Sequence, residues 1–202
     1  MLRTDQEAEG GRRRRRGEEL REAICCAVLD ELQENGFAAL TMDSVAARAG
    51  AGKATLYRRW PSKVELVVEA LEFAKPEITV PADSGDLRGE LLAVLNNVAE
   101  TLVGPSGAAA RGVIAEIVRN PDLARVIRPF LVDPVIAPTL EVLRRAAVRG
   151  DIPVGALTPR VAGVGTDLLR QYVLINGGPI PPEVLDEILD QVVLPLLRGL
   201  AV

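Results

Sequence analysis

The densest chemistry in the chain lies in KATLYRR, Lys53 to Arg59. On a helix, Leu56 and Trp60 fall one turn apart and face inward. Lys53, Thr55, Arg58 and Arg59 then point outward, with Tyr57 beside them. Small Ala54 and Thr55 let a backbone approach a groove floor, and Thr55 suits a base edge or a thymine methyl. Tyr57 offers a phenol to phosphate, while Arg58 and Arg59 either bind guanine bidentately or neutralise phosphate. This is chemistry for a nucleic acid. Catalysis has no comparable set, because the chain contains no histidine, which removes Ser-His-Asp and Cys-His arrangements and most zinc chemistry. A phosphate-binding G-x-x-x-x-G-K-[ST] loop fails at Ala47 and at Ala54, which follows Lys53. A dinucleotide fingerprint fails because Thr55 replaces the third glycine and a helix precedes the turn. We expect no catalytic residue, no cofactor and no metal site.

The flanking residues position this segment. Thr41 is an N-cap whose hydroxyl accepts from the amide of Asp43 or Ser44. Met42, Val45, Ala46 and Ala49 repeat at helical spacing, and Gly50 ends the pattern as a left-handed residue would. After the Gly-Ala-Gly turn comes the Lys53–Arg59 helix. Two short helices joined by a glycine-containing turn form a helix-turn-helix, whose second helix enters the DNA major groove. Pro61 and Ser62 stop that helix and cap the next, leaving Lys63 at a helix N-terminus where backbone amides attract anions. On residue types alone, a solvated basic hairpin remains the alternative.

The run T-x-x-x-V-A-x-x-A-G-x-x-K-x-T-L-Y-R-R-W-P-S-K from Thr41 to Lys63, preceded by Asn35-Gly36-Phe37, resembles the DNA-binding signature of the TetR family of bacterial transcriptional regulators. The resemblance covers residues 18–75. It implies that Thr41, Tyr57 and Lys63 hold phosphates, while Lys53, Thr55 and Arg59 reach bases or backbone in the groove. Ala54 and Arg58 complete the expected contact surface. The chain departs from the family at Gly52, where Ser or Thr is common; glycine caps a helix at a cost of only a few tenths of a kcal/mol.

At 202 residues the chain is long enough for a substantial core, and a 48% hydrophobic, 3% aromatic composition favours helices. The expected fold is all-α: a three-helix DNA-binding domain with the helix-turn-helix over 18–75, then a helical ligand-binding and dimerisation domain over 86–202. No apolar run approaches the ~18 residues that span a bilayer, and no signal-peptide pattern is present, so a cytoplasmic protein with no membrane partner is expected. Net charge is −4, but from Gly11 to Lys63 eleven Lys and Arg face seven Asp and Glu. Screening confines each charge to about a Debye length, so this local excess sets the attraction to phosphate.

Residues 1–17 are polar and read as a disordered basic arm. Their run Arg12–Arg16, with Arg12, Arg13 and Arg14 as candidate DNA contacts, is either a solvated tail or an arm on the backbone or minor groove. Glu18 to Gln33 forms the first helix, striped by Leu20, Ile24, Ala27, Val28 and Leu32. Adjacent Cys25 and Cys26 are read as ordinary thiols, because a bridge between sequence neighbours is strained. A longer helix runs from Ser62 to about Lys75, and the segment 76–85 is a loop.

Beyond it, apolar helices are separated by Pro and Gly; Pro134 and Pro138 are expected to break the chain before a helix carrying Leu140, Leu143 and Ala147. The last two helices are apolar on more than one face, so a four-helix dimer bundle is expected from Leu168, Tyr172, Ile175, Leu185, Leu189, Val192 and Leu196. The resemblance further implies a small-molecule effector, largely apolar given the Leu/Val lining. Its candidate ligands are Asn97, Thr101, Glu116, Arg119, Phe130, Asp167, Gln171, Tyr172 and Asn176. The expected function is a ligand-responsive regulator, a repressor that binds a palindromic double-stranded operator as a homodimer. The competing reading is a helical ligand-binding or scaffold dimer whose DNA binding is degenerate and non-specific.

Overall fold

Caps and glycines decide where the helices of this chain begin and end. The computed structural model describes residues 3–75 and 77–200, and the side chains of all of these except residues 3–16 and Ala115. All regular structure among them is helical: α1 Arg3–Ala39, α2 Met42–Arg48, α3 Lys53–Arg59, α4 Lys63–Phe73, α5 Leu87–Val103, α6 Pro105–Arg119, α7 Pro121–Leu131, α8 Asp133–Arg149, α9 Pro159–Asn176, α10 Pro182–Ile188 and α11 Leu194–Gly199. They form two compact units. The first holds residues 1–74 and 109–126; the second holds 75–108 and 127–202. Part of α6 and α7 therefore clusters with the N-terminal helices rather than with the region 86–202.

In the first unit, α1 packs most extensively on α4. Ile24, Cys25, Ala27, Val28 and Leu32 of α1 meet a core that also holds Val45, Leu56, Trp60, Leu66 and Val67. Helix α1 breaks at Gly36, whose φ is 73°, and one further turn carries Phe37 inward. At its other end α1 begins at Arg3, so the backbone through the arginine run is helical where low hydrophobicity predicts disorder. Arginine is a good helix former, and extending a helix already nucleated costs little. The side chains of Arg12, Arg13 and Arg14 lie outside the described residues. Gly112 of α6 lies against the Leu32 carbonyl of α1; a Cβ there would sit 1.9 Å from that oxygen. Only glycine permits that approach. Burial pushes the Cys25 thiol up to about 11, whereas Cys26 is exposed.

In the second unit, α5, α8, α9 and the C-terminal helices enclose a core of Val94, Leu95, Val98, Val142, Leu143 and Leu169 with Leu185, Leu189 and Leu197. Glu90 organises the entry to α5: its buried Oε1 accepts from the Ser84 and Gly85 amides at 2.8 and 3.1 Å. Thr158 caps α9, accepting from the Val161 amide at 3.2 Å, with Pro159 at the first position. Two expectations change here. Helix α8 begins at Asp133 and runs through Pro138, which is buried, so the prolines do not break this region. Pro134 lies in the first turn, where no amide partner is needed, and Pro138 removes a single bond near the start. The C-terminal helix widens into a π turn at Leu189–Val193. Pro195 explains it: its ring cannot accommodate the Gln191 carbonyl four residues back, and the turn opens.

Candidate nucleic-acid interface

Thr41 and Ser44 build a reciprocal cap at the start of α2. The Thr41 hydroxyl accepts from the Ser44 amide at 3.0 Å, and the Ser44 hydroxyl oxygen accepts from the Thr41 amide at 3.2 Å. This satisfies two orphan donors at the start of the helix. Val45 and Ala46 are buried beneath it. The turn to α3 passes through Gly50 at φ 61°, a left-handed conformation that glycine adopts without strain. Helix α3 then buries Leu56 and, at its C-cap, Trp60, as its spacing predicts. Lys53, Ala54, Tyr57, Arg58 and Arg59 are exposed, and Thr55 is half-buried. Tyr57 is 53% exposed, which leaves its ring and hydroxyl accessible.

A set of ion pairs holds this head. Arg48 at the end of α2 donates through Nε to Glu31 at 3.1 Å and through Nη1 to Glu34 at 3.0 Å, with Asp30 at 3.7 Å. The hydrogen bond from Arg48 holds Glu34 below the usual carboxylate range. Under α3, Glu69 of α4 accepts from Arg21 of α1 and from the Trp60 indole at 3.4 Å. These bonds, Arg21 first and Trp60 after it, lower the Glu69 pKa against the opposing effect of burial. Arg59 lies over the Trp60 ring, 5.2 Å from its centroid. Lys53 pairs with Asp43 of α2 at 2.6 Å. Lys63 opens α4 as expected and has a further engagement: its ammonium donates to the Phe37 carbonyl at 2.9 Å and sits 4.4 Å from the Phe37 ring centroid. It staples α4 to the end of α1, and one of its three protons is no longer available to phosphate.

Several of the expected ligand residues are engaged within their own helices. Glu116 and Arg119 belong to the first unit, the other seven to the second. Asn97, Thr101 and Asn176 each donate to a carbonyl four residues back on their own helix. Asp167 pairs with Arg170 at 2.7 Å on the surface, Gln171 is exposed, and Phe130 and Tyr172 are half-buried. Side chains three or four apart on a helix satisfy one another first, and polar residues spaced among apolar ones meet that rule before any pocket. A cleft of about 570 Å³ does open on the second unit, but Arg88, Asp151, Ile152, Asp190, Leu194 and Arg198 line it.

The expected dimer residues divide. Ile175 and Val192 are 74% and 40% exposed, and Leu168, Tyr172 and Leu196 are half-buried. Leu185 and Leu189 are 2% and 0% exposed, packed in their own unit's core, and have no surface left for a partner.

Residues 27–70 match the family model described as bacterial regulatory proteins, tetR family, and residues 81–192 match tetracyclin repressor-like, C-terminal domain. An HTH-type transcriptional regulator of Mycobacterium tuberculosis is 37% identical over 178 residues, 86% of each chain. The chain belongs to the TetR family of bacterial transcriptional regulators. A DNA-binding transcriptional repressor TetR of Mycobacteroides abscessus is 30% identical to this TetR-family chain, over 91% of it and 96% of the relative. The flavonoid-responsive regulator FrrA superposes on it with a TM-score of 0.67 at 23% identity, over 91% and 97% of the two chains. That likeness shows the fold.

In this TetR-family chain the exposed face of α3 follows from helical spacing, but the residues that surround it do not. Arg48, Asp43, Glu69 and Arg21 are placed by contacts between different helices. Arg48 and Glu34 are fourteen residues apart, Arg21 and Glu69 forty-eight. No helical period marks such pairs; a buried-side tryptophan followed nine residues later by Glu69 was the nearest hint. Among the described residues, no helix is long and apolar enough to cross a membrane.

Proposed function

We propose that this TetR-family regulator is a ligand-responsive repressor that binds a palindromic operator as a homodimer and is released by a small, largely apolar molecule. The observation that supports specific DNA reading is α3 itself: a helix anchored by buried Leu56 and Trp60 that leaves Lys53, Ala54, Tyr57 and Arg58 exposed and Thr55 accessible. In this reading, Thr41 and Tyr57 hold phosphates, Lys53, Thr55, Arg58 and Arg59 reach the groove, and Arg12, Arg13 and Arg14 follow the backbone. Lys63 keeps its charge and two of its three protons for phosphate while it holds the Phe37 carbonyl. The dimer forms through α9 and the C-terminal helix, at Leu168, Tyr172, Ile175, Val192 and Leu196, in the cytoplasm. Two reading heads then contact half-sites about one turn, ~34 Å, apart. The effector binds in the second unit and favours a dimer geometry mismatched to that spacing; by linkage, ligand and operator weaken each other equally. The named repressor among the relatives supports repression rather than activation.

Selection of bound sequences from random duplex DNA, at a stated salt concentration, tests this. A recovered palindrome is the expected result. Weak binding without a motif that vanishes at moderate salt would leave the second reading, a helical dimer with non-specific DNA affinity. Gly52 favours that alternative, because it gives α3 no side-chain cap.

A further inference from the structure

We propose that Asp43 is a specificity-determining residue that acts through Lys53; the inference rests on the DNA-binding reading above. Asp43 stands in the first turn of α2 and Lys53 is the first residue of α3, and their carboxylate and ammonium meet at 2.6 Å. Both side chains are more than half exposed, so the pair lies on the surface of the helix-turn-helix rather than in its core. Its place has a reason. Helix α3 has no side-chain cap at Gly52 and no acid in its first turn. Lys53 therefore puts a cation at the positive end of a helix dipole, and Asp43 offsets that charge from the neighbouring helix.

The pairing has a consequence for DNA. Sequence-independent affinity grows with the number of phosphates a protein neutralises, each releasing condensed counterions. While Lys53 holds Asp43, the two sum to no charge and this cation releases nothing. To reach a phosphate, Lys53 must leave a carboxylate, and that carboxylate then faces a polyanion with no partner. A guanine–cytosine pair beneath the head offers the complement of both groups: acceptors at guanine O6 and N7 for the ammonium, and the cytosine N4 amino group for the carboxylate. Random contact satisfies only Lys53; a matched base pair satisfies both. Asp43 thus penalises non-specific binding and favours a G·C or C·G pair at one position of each half-site.

The test compares wild type with Asp43→Asn on random duplex and on the selected operator across a salt series. The variant is expected to bind random DNA about eightfold more tightly at 0.1 M salt. Its log–log salt slope should be steeper by ~0.9, the signature of one more neutralised phosphate. On the operator it should lose about tenfold of discrimination at one G·C position and little elsewhere. In a Lys53→Ala background, Asp43→Asn should leave the slope unchanged. An unchanged random-DNA slope in Asp43→Asn overturns the inference. An equal gain with and without Lys53 also overturns it, because Asp43 would then act by its own repulsion. A wild-type protein that binds no DNA sinks the functional reading instead. A thermal melt accompanies each variant: a merely structural role lowers the midpoint and operator affinity together and leaves the slope where it was.

Discussion

Arg59 does two jobs at the end of the reading helix, and they separate by substitution. Its guanidinium lies over Trp60, and its charge also reaches Glu69. Trp60 itself is buried, its amide donates to the Leu56 carbonyl and its indole to Glu69 of α4, so the helix has anchors other than Arg59. Arg59→Ala is expected to weaken operator binding by about 1–3 kcal/mol with the thermal midpoint nearly unchanged; operator titration beside a melt reads both. Glu69 is the opposite case. Its carboxylate gathers Arg21 and the Trp60 indole, and its folded pKa lies below the ordinary value. A carboxyl that ionises more readily when folded stabilises above its unfolded pKa, near 4.3, and that contribution disappears as pH falls through the lower folded value. Glu69→Gln is therefore expected to lose stability at neutral pH and to converge on wild type in acid. Parallel denaturation curves from pH 7 to 3 would contradict this.

At the scale of elements, the C-terminal helix separates core from free surface within a few residues. Leu189 is fully buried and Val192, less than one turn on, is 40% exposed. Leu189→Ala should cost about 2–5 kcal/mol, the range for a buried leucine, whereas Val192→Ala should cost well under 1 kcal/mol in the isolated subunit. Urea titration distinguishes them. This helix also marks where sequence stops being informative. Helix ends were legible because caps act over three residues: Thr41 on Ser44, Ser62 on Glu65, Thr158 on Val161. The inward face of α3 was legible because it is apolar on one side only. A helix apolar all round has no such asymmetry, so Leu185 and Leu189 could not be told from Leu196 by period alone, and the π turn shifts the register again. The local bonds of the polar pocket candidates were hidden for a similar reason: Asn97 and Asn176 donate to carbonyls of their own helices, which spacing does not reveal.

For the whole molecule, affinity depends on how many heads bind at once. One α3 offers too few base contacts for high affinity at physiological salt, and two joined rigidly gain through effective concentration, by about 10²–10⁴. The proposed junction is the face of α9 and the C-terminal helix where apolar side chains remain uncovered: Ile175 is 74% exposed and Val192 40%, flanked by half-buried Leu168, Tyr172 and Leu196. An exposed isoleucine is unremarkable singly; joined with these neighbours on one face, as the proposed junction requires, it would gain by association. Charge placed there would oppose association without entering the core, unlike charge at Leu189. The double substitution Ile175→Arg and Val192→Glu would let its new charges pair, so both positions should take the same sign: Ile175→Glu with Val192→Glu. That variant is expected to sediment as a folded monomer with an unaltered helical spectrum. Its affinity for a palindromic site should fall by about 10² or more while its affinity for a single half-site is retained. If it still sediments as a dimer, the interface lies on another face. If it is monomeric and binds the palindrome as tightly as wild type, each head reads its half-site alone, and release by a change of spacing would have nothing to act on.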